Sequence, residues 1–451
     1  MRIQFINHAS VKLITARARI TTDPWYAGAA FNNGWDLIRA TPEMSATGAD
    51  ATHIWLSHEH PDHFSIPFFK STPNRALRIL FQDTADRRVA SFLRGQGFEV
   101  DEISEGLDFP VAEGETIRVG RNGFYDSWSL YRAEGLAILN LNDCELNTEE
   151  ALLALATEVG PIDVLLTQFS YAAWKGGRGN KTLRESAARE KLATVQRQIK
   201  FLKPKFVIPF ASFVYFSNVE NFYLNDSIND VASSATAIES AGAKPVIMKP
   251  LDQWIVGAEW DNSGPIAFWQ RAYANLDALP KRGVLTSIAL ADLALHCRIY
   301  QDRVFKKNSK WLIRLGSMVP KVGAFRPLTI RLTDLGKTIR FSFFDMLREV
   351  TGDGTADVEM SSESLDFIFL NEFGYDTLTV NGRFEATPAG FSRMTKNFAV
   401  GSLNALGLGL KPSLITNADV VLLLVRKLRS FVRKMNRTAE MAPHSSAADH
   451  A

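Results

Sequence analysis

Cysteine is scarce in this sequence, with only Cys144 and Cys297 among 451 residues. Two thiols are too few for a disulfide framework, a zinc cluster built on cysteines or a four-cysteine iron–sulfur centre within this sequence. Such scarcity is typical of proteins that work in a reducing compartment. We therefore expect a cytoplasmic protein.

Long apolar runs and an excess of charge are also lacking. The nearest approach to a membrane span is the short run "VVLLLV" at 420–425, far below the roughly 20 residues that a spanning helix needs. The first residues, "MRIQFINHASVKLIT", alternate like a strand and lack the apolar core of a secretory signal. Lysine plus arginine number 51 against 49 acidic residues, so nothing in the overall charge favours nucleic acid as a partner.

The overall composition and the length of the sequence indicate a globular protein of more than one domain. Hydrophobic residues at 46% and charged residues at 22% are ordinary values, and 451 residues exceed what one core usually supports. Strand-like runs such as "ATHIWLS" and "DVLLTQFS" alternate with helical stretches over residues 1–275. This pattern predicts an α/β domain, in which loops at the strand ends carry the chemistry.

Two further segments follow the α/β domain. Over 276–410, runs such as "PLTIRLTD" and "KTIRFSFF" predict a separate α+β domain, faintly similar to small sterol-carrier-like domains. Over 411–451 we expect an amphipathic basic helix, at 418–437, and a disordered end. That helix either docks on its own domain or contacts a membrane surface or a partner. Contact with a membrane surface would make the protein peripheral to the membrane.

The stretch "HEHPDH" is the strongest chemical signal in the sequence. His58 and His60 are two residues apart after a predicted strand, so their imidazoles can point the same way, and Asp62 and His63 follow at once. Imidazole and carboxylate groups grouped in this way predict a site for one or two divalent cations. His8 has no such spacing to another histidine, and we expect it to be structural.

"HEHPDH" resembles the HxHxDH signature of the metallo-β-lactamase superfamily. "TTDPW" supplies Asp23, like the first acidic motif of that superfamily, and "LNLNDC" supplies Asp143 in the place of its bridging carboxylate. The resemblance implies an αββα sandwich over residues 1 to about 250. It also implies that His58 and His60 bind a first metal, that Asp62 and His63 bind a second, and that Asp143 lies between them.

A closer similarity is to the catalytic part of the cytidine monophosphate N-acetylneuraminate hydroxylase family. It is carried by "DPWYAGAAFNNGW", "LSHEHPDHFSIP" and "PFASFVYFSNVENFY", and is shared at lower detail with N-acylphosphatidylethanolamine phospholipase D. Both relatives act on phosphate-bearing substrates. The hydroxylase family adds an iron–sulfur (Rieske) module, for which this sequence has no segment, so a hydroxylase would need a separate electron-transfer protein.

The sequence departs from the superfamily pattern in its histidines. The superfamily places one histidine before the bridging aspartate and another well after it, yet 64–142 and 144–295 contain none. The nearest polar substitutes are Asp126 and Asn218, and we treat both as candidate ligands. Two imidazoles with carboxylates accept zinc, iron or manganese.

A glycine-rich loop, "SYAAWKGGRGNK" at 170–181, is a candidate substrate-binding segment. Tyr171, Trp174, Lys175 and Arg178 surround its glycines and are able to grip an anionic group. An ordinary polar loop is the alternative interpretation.

Three functions fit these observations. The first is metal-dependent hydrolysis of a phosphate-bearing small molecule, such as a nucleotide sugar or phosphodiester, with Asp62 orienting the attacking water. The second is hydroxylation of a nucleotide sugar like CMP-sialic acid by non-haem iron, with electrons supplied from outside. The third is a binding protein that has lost part of its ligand set. Hydrolysis is preferred because it needs only the metal and water.

Overall fold

A computed structural model describes residues 1–41, 50–123, 125–318, 324–345, 347–350 and 355–411. The predicted basic helix at 418–437 lies outside the described residues. Within those ranges, no helix combines the length and apolar character needed to cross a membrane.

The N-terminal part of the chain contains two seven-stranded sheets. In spatial order the first consists of β16 (Gln253–Ile255), β1 (Arg2–Asn7), β2 (Ser10–Ile14), β3 (Arg19–Thr22), β5 (His53–Leu56), β6 (Arg78–Gln82) and β7 (Glu99–Ile103). The second consists of β15 (Lys244–Pro245), β13 (Phe206–Phe210), β12 (Val164–Gln168), β11 (Leu136–Asn142), β10 (Asp126–Ala133), β9 (Glu115–Asn122) and β8 (Asp108–Ala112). β3, β5, β6 and β7 are parallel, as are β11, β12, β13 and β15, so the ends of these strands share one sheet edge.

Helices cover the outer faces of both sheets. They are α1 (Ile66–Ser71), α2 (Arg88–Gly95), α3 (Glu149–Val159), α4 (Lys181–Leu202), α5 (Val231–Ser240) and α6 (Ser263–Ala274), with 3-10 turns at Phe222–Ser227 and Leu276–Ala278. Ile3 and Val11 of the first sheet share a core with Leu139 of the second, whereas Phe68 of α1 packs against Ile54 of β5 in a separate cluster. This order of helix, sheet, sheet and helix confirms the predicted αββα sandwich.

The C-terminal unit has its own sheet and core. Its strands, in spatial order, are β19 (Arg348–Glu349), β18 (Lys337–Phe341), β17 (Leu328–Leu332), β20 (Val358–Met360) and β21 (Glu385–Ala386). Its helices are α7 (Leu290–Lys307), α8 (Lys310–Met318), α9 (Ser362–Leu370), α10 (Gly374–Asn381) and α11 (Pro388–Ala405). A separate hydrophobic cluster spans Leu293 to Val400, and the unit is of the predicted α+β class. The boundary at 275 and the sterol-carrier likeness stay predictions.

A buried arginine joins this unit to the N-terminal part. Arg383 donates from Nε to Glu220 at 2.8 Å, from Nη2 to Glu363 at 2.6 Å and from Nη1 to the carbonyl oxygen of Asn32 at 2.8 Å. A short antiparallel pair, β4 (Trp35–Leu37) with β14 (Val214–Phe216), lies in the same region of the N-terminal part. The network fixes α10 next to the loop that carries the histidine motif.

Candidate metal centre

The histidine motif occupies the loop between β5 and α1. Asp23, at the end of β3, anchors this loop by accepting the backbone N–H of Ser57 and its hydroxyl, each at 2.8 Å. The loop then turns, with the backbone N–H of His63 donating to the carbonyl oxygen of His60 at 3.0 Å. Because both ends of the loop are held, the imidazoles converge.

His58 and His60 face each other. Nε2 of His58 lies 2.7 Å from Nδ1 of His60, and the hydroxyl of Ser57 lies 2.9 Å from Nδ1 of His58. Burial lowers the pKa of His58 well below its ordinary value and also lowers that of His60. Neutral imidazoles keep a nitrogen lone pair, which is the form that binds metal.

His63 lies among carboxylates. Its Nδ1 is 3.1 Å from Asp23, while its Nε2 is 3.2 Å from both Asp62 and Asp143. Burial alone would lower the pKa of His63, but Asp62 and Asp143 outweigh it and raise that pKa well above its ordinary value. Asp23 fixes the orientation of the ring, as carboxylates behind metal-binding histidines do.

Asp143 and Asp126 complete the cluster from the second sheet. Asp143 directly follows β11, and its Oδ1 accepts the side-chain amide of Gln168 at 3.2 Å. Asp126 begins β10, with Oδ1 3.8 Å from Nε2 of His58. Burial, with Asp143 nearby, raises the pKa of Asp126 to about 7. The predicted candidate Asp126 is thus brought to the histidines.

His8, which we expected to be structural, lies next to the cluster. It lies in the turn between β1 and β2, and its Nε2 is 3.2 Å from Asp62. The backbone is left-handed at His8, Asp23 and Asn142, with φ of 44°, 34° and 50°. Backbone strain of this kind concentrates at functional sites. Spacing along the chain could not reveal His8, because a sheet rather than a loop brings it to Asp62.

The donor set fits a divalent cation. Three groups of three residues bring their donor atoms together, and within each group these atoms lie within 4.8 Å of one another. The groups are His58 with His60 and Asp126, His58 with His63 and Asp143, and His8 with Asp62 and His63. Oδ1 of Asp62 and Nδ1 of His8 are buried without a hydrogen-bond partner. Buried carboxylates need a compensating positive charge. The set of imidazoles and carboxylates suits zinc, iron or manganese.

Two predicted site residues are placed differently. Asn218 accepts the backbone N–H of Glu220 at 3.0 Å and donates to the carbonyl oxygens of Asn33 and Gly283, so its amide serves a turn, and its role as a ligand stays a prediction. Asp62 is buried with its Oδ2 between His8 and His63 and is not among the residues that line the adjacent cavity. Its expected role in orienting water gains no support from this position.

The cavity next to the cluster has a volume of about 350 Å³, and we call it the lysine cavity. The lining residues that matter chemically are His60, Asp126, Asp143, Glu145, Tyr171, Lys175 and Lys191. Lys191 comes from α4 and was not predicted, because a lysine within a long helix carries no local signal of a site. Its position beside the predicted loop is set by helix packing.

The predicted substrate loop divides into two parts. Tyr171 and Lys175 line the lysine cavity, although the hydroxyl of Tyr171 donates to the carbonyl oxygen of Leu224. Trp174 instead stacks on Phe384 and Phe391 at centroid distances of 4.9 and 4.7 Å. Its ring therefore packs into the C-terminal unit, and this position does not support the predicted substrate contact.

Arg178 likewise contacts the C-terminal unit rather than the cavity. Its Nε lies 3.2 Å from Glu385, and its Nη2 donates to the carbonyl oxygens of Val219 and Glu220 at 3.3 Å. The guanidinium of Arg178 therefore joins the two units, and this position does not support the predicted substrate role.

Comparison with known proteins agrees with this geometry. Residues 2–211 match the family model described as a beta-lactamase superfamily domain. This part of the chain is therefore a domain of the metallo-β-lactamase superfamily, which confirms the resemblance carried by "HEHPDH".

Among individual proteins, the chain is similar to cytidine monophosphate-N-acetylneuraminic acid hydroxylases. It is 26% identical over 247 residues to the inactive enzyme of Homo sapiens, covering 50% of this chain and 48% of that protein. It is 24% identical over 243 residues to the enzyme of Danio rerio, covering 50% and 40%. The chain thus spans about half the length of these relatives or less. A solved isothiocyanate hydrolase from Delia radicum gut bacteria is 14% identical with a TM-score of 0.44, covering 57% of this chain and all of that one.

Proposed function

We propose that this protein is a metal-dependent hydrolase of a phosphate-bearing small molecule, such as a nucleotide sugar or a phosphodiester. The observation that carries the proposal is the pairing of a metal-type donor cluster with a cavity that contains two lysines, Lys175 and Lys191. The cluster supplies the means to activate water, and the lysines supply the means to hold an anion.

The ligands for the proposed cation are His58, His60, His63 and Asp143. A bound divalent cation would bring the pKa of a water molecule close to neutral and stabilise the negative charge that develops during attack. Asp126, which faces the lysine cavity, takes the place we had expected for Asp62 as the group that orients the water. Its Oδ1 lies 3.8 Å from Nε2 of the proposed ligand His58, which is close enough for its carboxylate to accept a proton from that water.

The two lysines are available for a substrate anion. Within the described part of the chain neither Lys175 nor Lys191 forms a salt bridge or hydrogen bond with a side chain. Burial lowers the pKa of Lys191, and the nearby carboxylates of Glu145 and Asp143 oppose that shift. A partly buried ammonium without a partner gains most from an anionic ligand, because the ligand replaces lost hydration.

The alternative is an iron-dependent hydroxylase of a nucleotide sugar, and it is supported by the names of the similar proteins. Hydroxylation needs electrons from outside the cluster. Cys144 and Cys297 lie in separate hydrophobic cores, so they cannot jointly ligate an iron–sulfur centre. A second alternative is a binding protein without turnover, because the cluster has carboxylates where the superfamily has further histidines.

Anaerobic turnover separates these functions. We expect protein loaded with zinc or manganese to hydrolyse a phosphodiester or nucleotide sugar without oxygen, because water is the only co-substrate. Turnover that appears only with iron, oxygen and a reductase would contradict hydrolysis and support the hydroxylase. Ligand binding without turnover in either assay would support the binding protein.

The lysines provide a finer test of the same proposal. Lys191→Met should raise KM by about tenfold or more, since a hydrogen bond to a charged group contributes about 1.5–3 kcal/mol. Lys200→Met, on the exposed side of the same helix α4, is the matched control and should leave KM unchanged. Equal KM values for both variants would remove Lys191 from the substrate site.

A further inference from the structure

A second cavity lies beside the donor cluster and is mainly apolar. Its volume is about 360 Å³, and its apolar wall is formed by Phe64, Ile66, Phe92, Tyr125, Phe373 and Val380. We call it the apolar cavity. Its volume falls within the range of about 300–1,000 Å³ that is usual for small-molecule sites.

His60 and Val380 line both the lysine cavity and the apolar cavity. The ring of His60 also lies 5.6 Å from that of Phe31 and 6.4 Å from that of Tyr125, both of which line the apolar cavity. The proposed metal ligand His60 therefore stands where the two cavities meet.

The two cavities differ in the charge they offer. The lysine cavity contains two ammonium groups without ion-pair partners among the described residues, together with the carboxylates of Asp126, Asp143, Glu145 and Glu190. In the apolar cavity the one arginine, Arg88, is already occupied, because it lies 3.5 Å from Glu59, 2.6 Å from Asp86 and 3.3 Å from Glu372. Burial raises the pKa of Asp376, an acid of this cavity, and so favours its neutral form.

We propose that the substrate is amphiphilic, with its anionic group against Lys175 and Lys191 and an apolar group in the apolar cavity. The bond to be cleaved then lies at His60, between the two parts. This inference rests on the proposed function for the position of that bond, but the binding of the apolar group does not depend on turnover.

The C-terminal unit contributes part of the wall of the apolar cavity. Three residues of this region line the apolar cavity. Thr377 and Val380 lie in α10, and Phe373 directly precedes it. The buried Arg383 network holds α10 in place from two residues beyond its end. The C-terminal unit thus forms part of the specificity wall of a site whose proposed ligands come from the N-terminal domain.

Binding of methyl, butyl and octyl phosphate tests the inference by titration calorimetry on the purified full chain. Affinity should rise with chain length by up to about fourfold per methylene until the cavity is filled, because each buried CH₂ contributes about 0.8 kcal/mol. Thr377→Trp should abolish this dependence by filling the cavity. Thr157→Trp, on the exposed surface of α3, is the matched control and should retain it.

A second variant guards against misfolding of the first. Ile66 is 42% exposed, so Ile66→Asn should fold and should weaken the chain-length dependence. The affinities of cytidine monophosphate and ribose 5-phosphate then distinguish an aromatic occupant of the apolar cavity from an aliphatic one. Tighter binding of the nucleotide that is lost in Thr377→Trp would also support the inference.

Absent or equal binding throughout the alkyl series, with no preference for the nucleotide, would overturn the inference even if phosphodiesters are hydrolysed. Chain-length-dependent binding without any turnover would support it while contradicting the hydrolase. The two failures are therefore distinguishable.

Discussion

Two buried polar clusters in this protein contain similar groups but differ in whether their atoms have partners. In the Arg383 network, Nε, Nη1 and Nη2 all donate to oxygens of Glu220, Asn32 and Glu363. In the histidine cluster, by contrast, Oδ1 of Asp62 and Nδ1 of His8 are buried without a hydrogen-bond partner. The first cluster is satisfied by its own groups, whereas the second leaves buried polar atoms without a hydrogen-bond partner.

The difference shows how a structural ion pair can be distinguished from a binding site. A buried charge is tolerated when opposite charges and hydrogen bonds satisfy it. The histidine cluster consists of His8, His58, His60 and His63 with their carboxylates. Within the described ranges, these carboxylates form salt bridges only with histidines, and the histidines also contact one another. Such a cluster has the donor atoms to hold a cation, whereas the Arg383 network is complete by itself.

The largest expected effect is on metal content. His58→Ala combined with His60→Ala should reduce bound metal from a stoichiometric amount to background while the chain stays folded, because these ligands lie on a loop over a preformed sheet. Elemental analysis and circular dichroism measure both properties. His296→Ala, a histidine of the C-terminal unit that contacts Asp366 at 2.5 Å, is the control and should bind metal normally. Full occupancy in the double variant would refute the assignment.

The next largest effect is on the stability that the Arg383 network provides. Arg383→Met should lower the free energy of unfolding by about 3–5 kcal/mol, because it leaves the carboxylates of Glu220 and Glu363, which are only 14% and 15% exposed, without their cation. Arg393→Met removes an arginine that pairs with Asp357 at 2.8 Å but is 43% exposed, and should cost at most about 1 kcal/mol. Denaturant titration measures both. Similar losses in the two variants would contradict the distinction drawn between the clusters.

A smaller effect is expected for a single carboxylate of the histidine cluster. Asp143→Asn should weaken metal binding by at least about 10–100-fold and lower turnover in parallel, since an amide brings no negative charge and offers one oxygen. Metal titration checks the affinity. Asp108→Asn, at an exposed salt bridge with Arg118, is the control. Unchanged affinity and turnover would mean that Asp143 is not a ligand.

The sequence predicts what is encoded locally and misses what long-range packing creates. The motif at 58–63 and the layered fold follow from spacing and strand rhythm, and the structure brings Asp143 and Asp126 to the same place. His8 and Lys191 reach the site only through sheet pairing and helix packing, which leave no mark in the neighbouring residues.

The positions of Trp174 and Arg178 in the predicted substrate loop also depend on long-range packing. Trp174 and Arg178 have the chemistry of ligand-binding residues, but aromatic and cationic side chains serve equally well in contacts between units. Which of the two uses applies depends on the C-terminal unit, more than 190 residues further along the chain, where Phe384 and Glu385 receive them. No local pattern encodes that contact.

The central claim is that the histidine cluster is a metal site, and anomalous X-ray diffraction tests it most directly. Crystals grown with zinc, iron or manganese in excess, measured at the absorption edge of each metal, should show an anomalous peak bounded by His58, His60, His63 and Asp143. Crystals of folded protein with no anomalous peak in this cluster for any of the three metals would contradict the account.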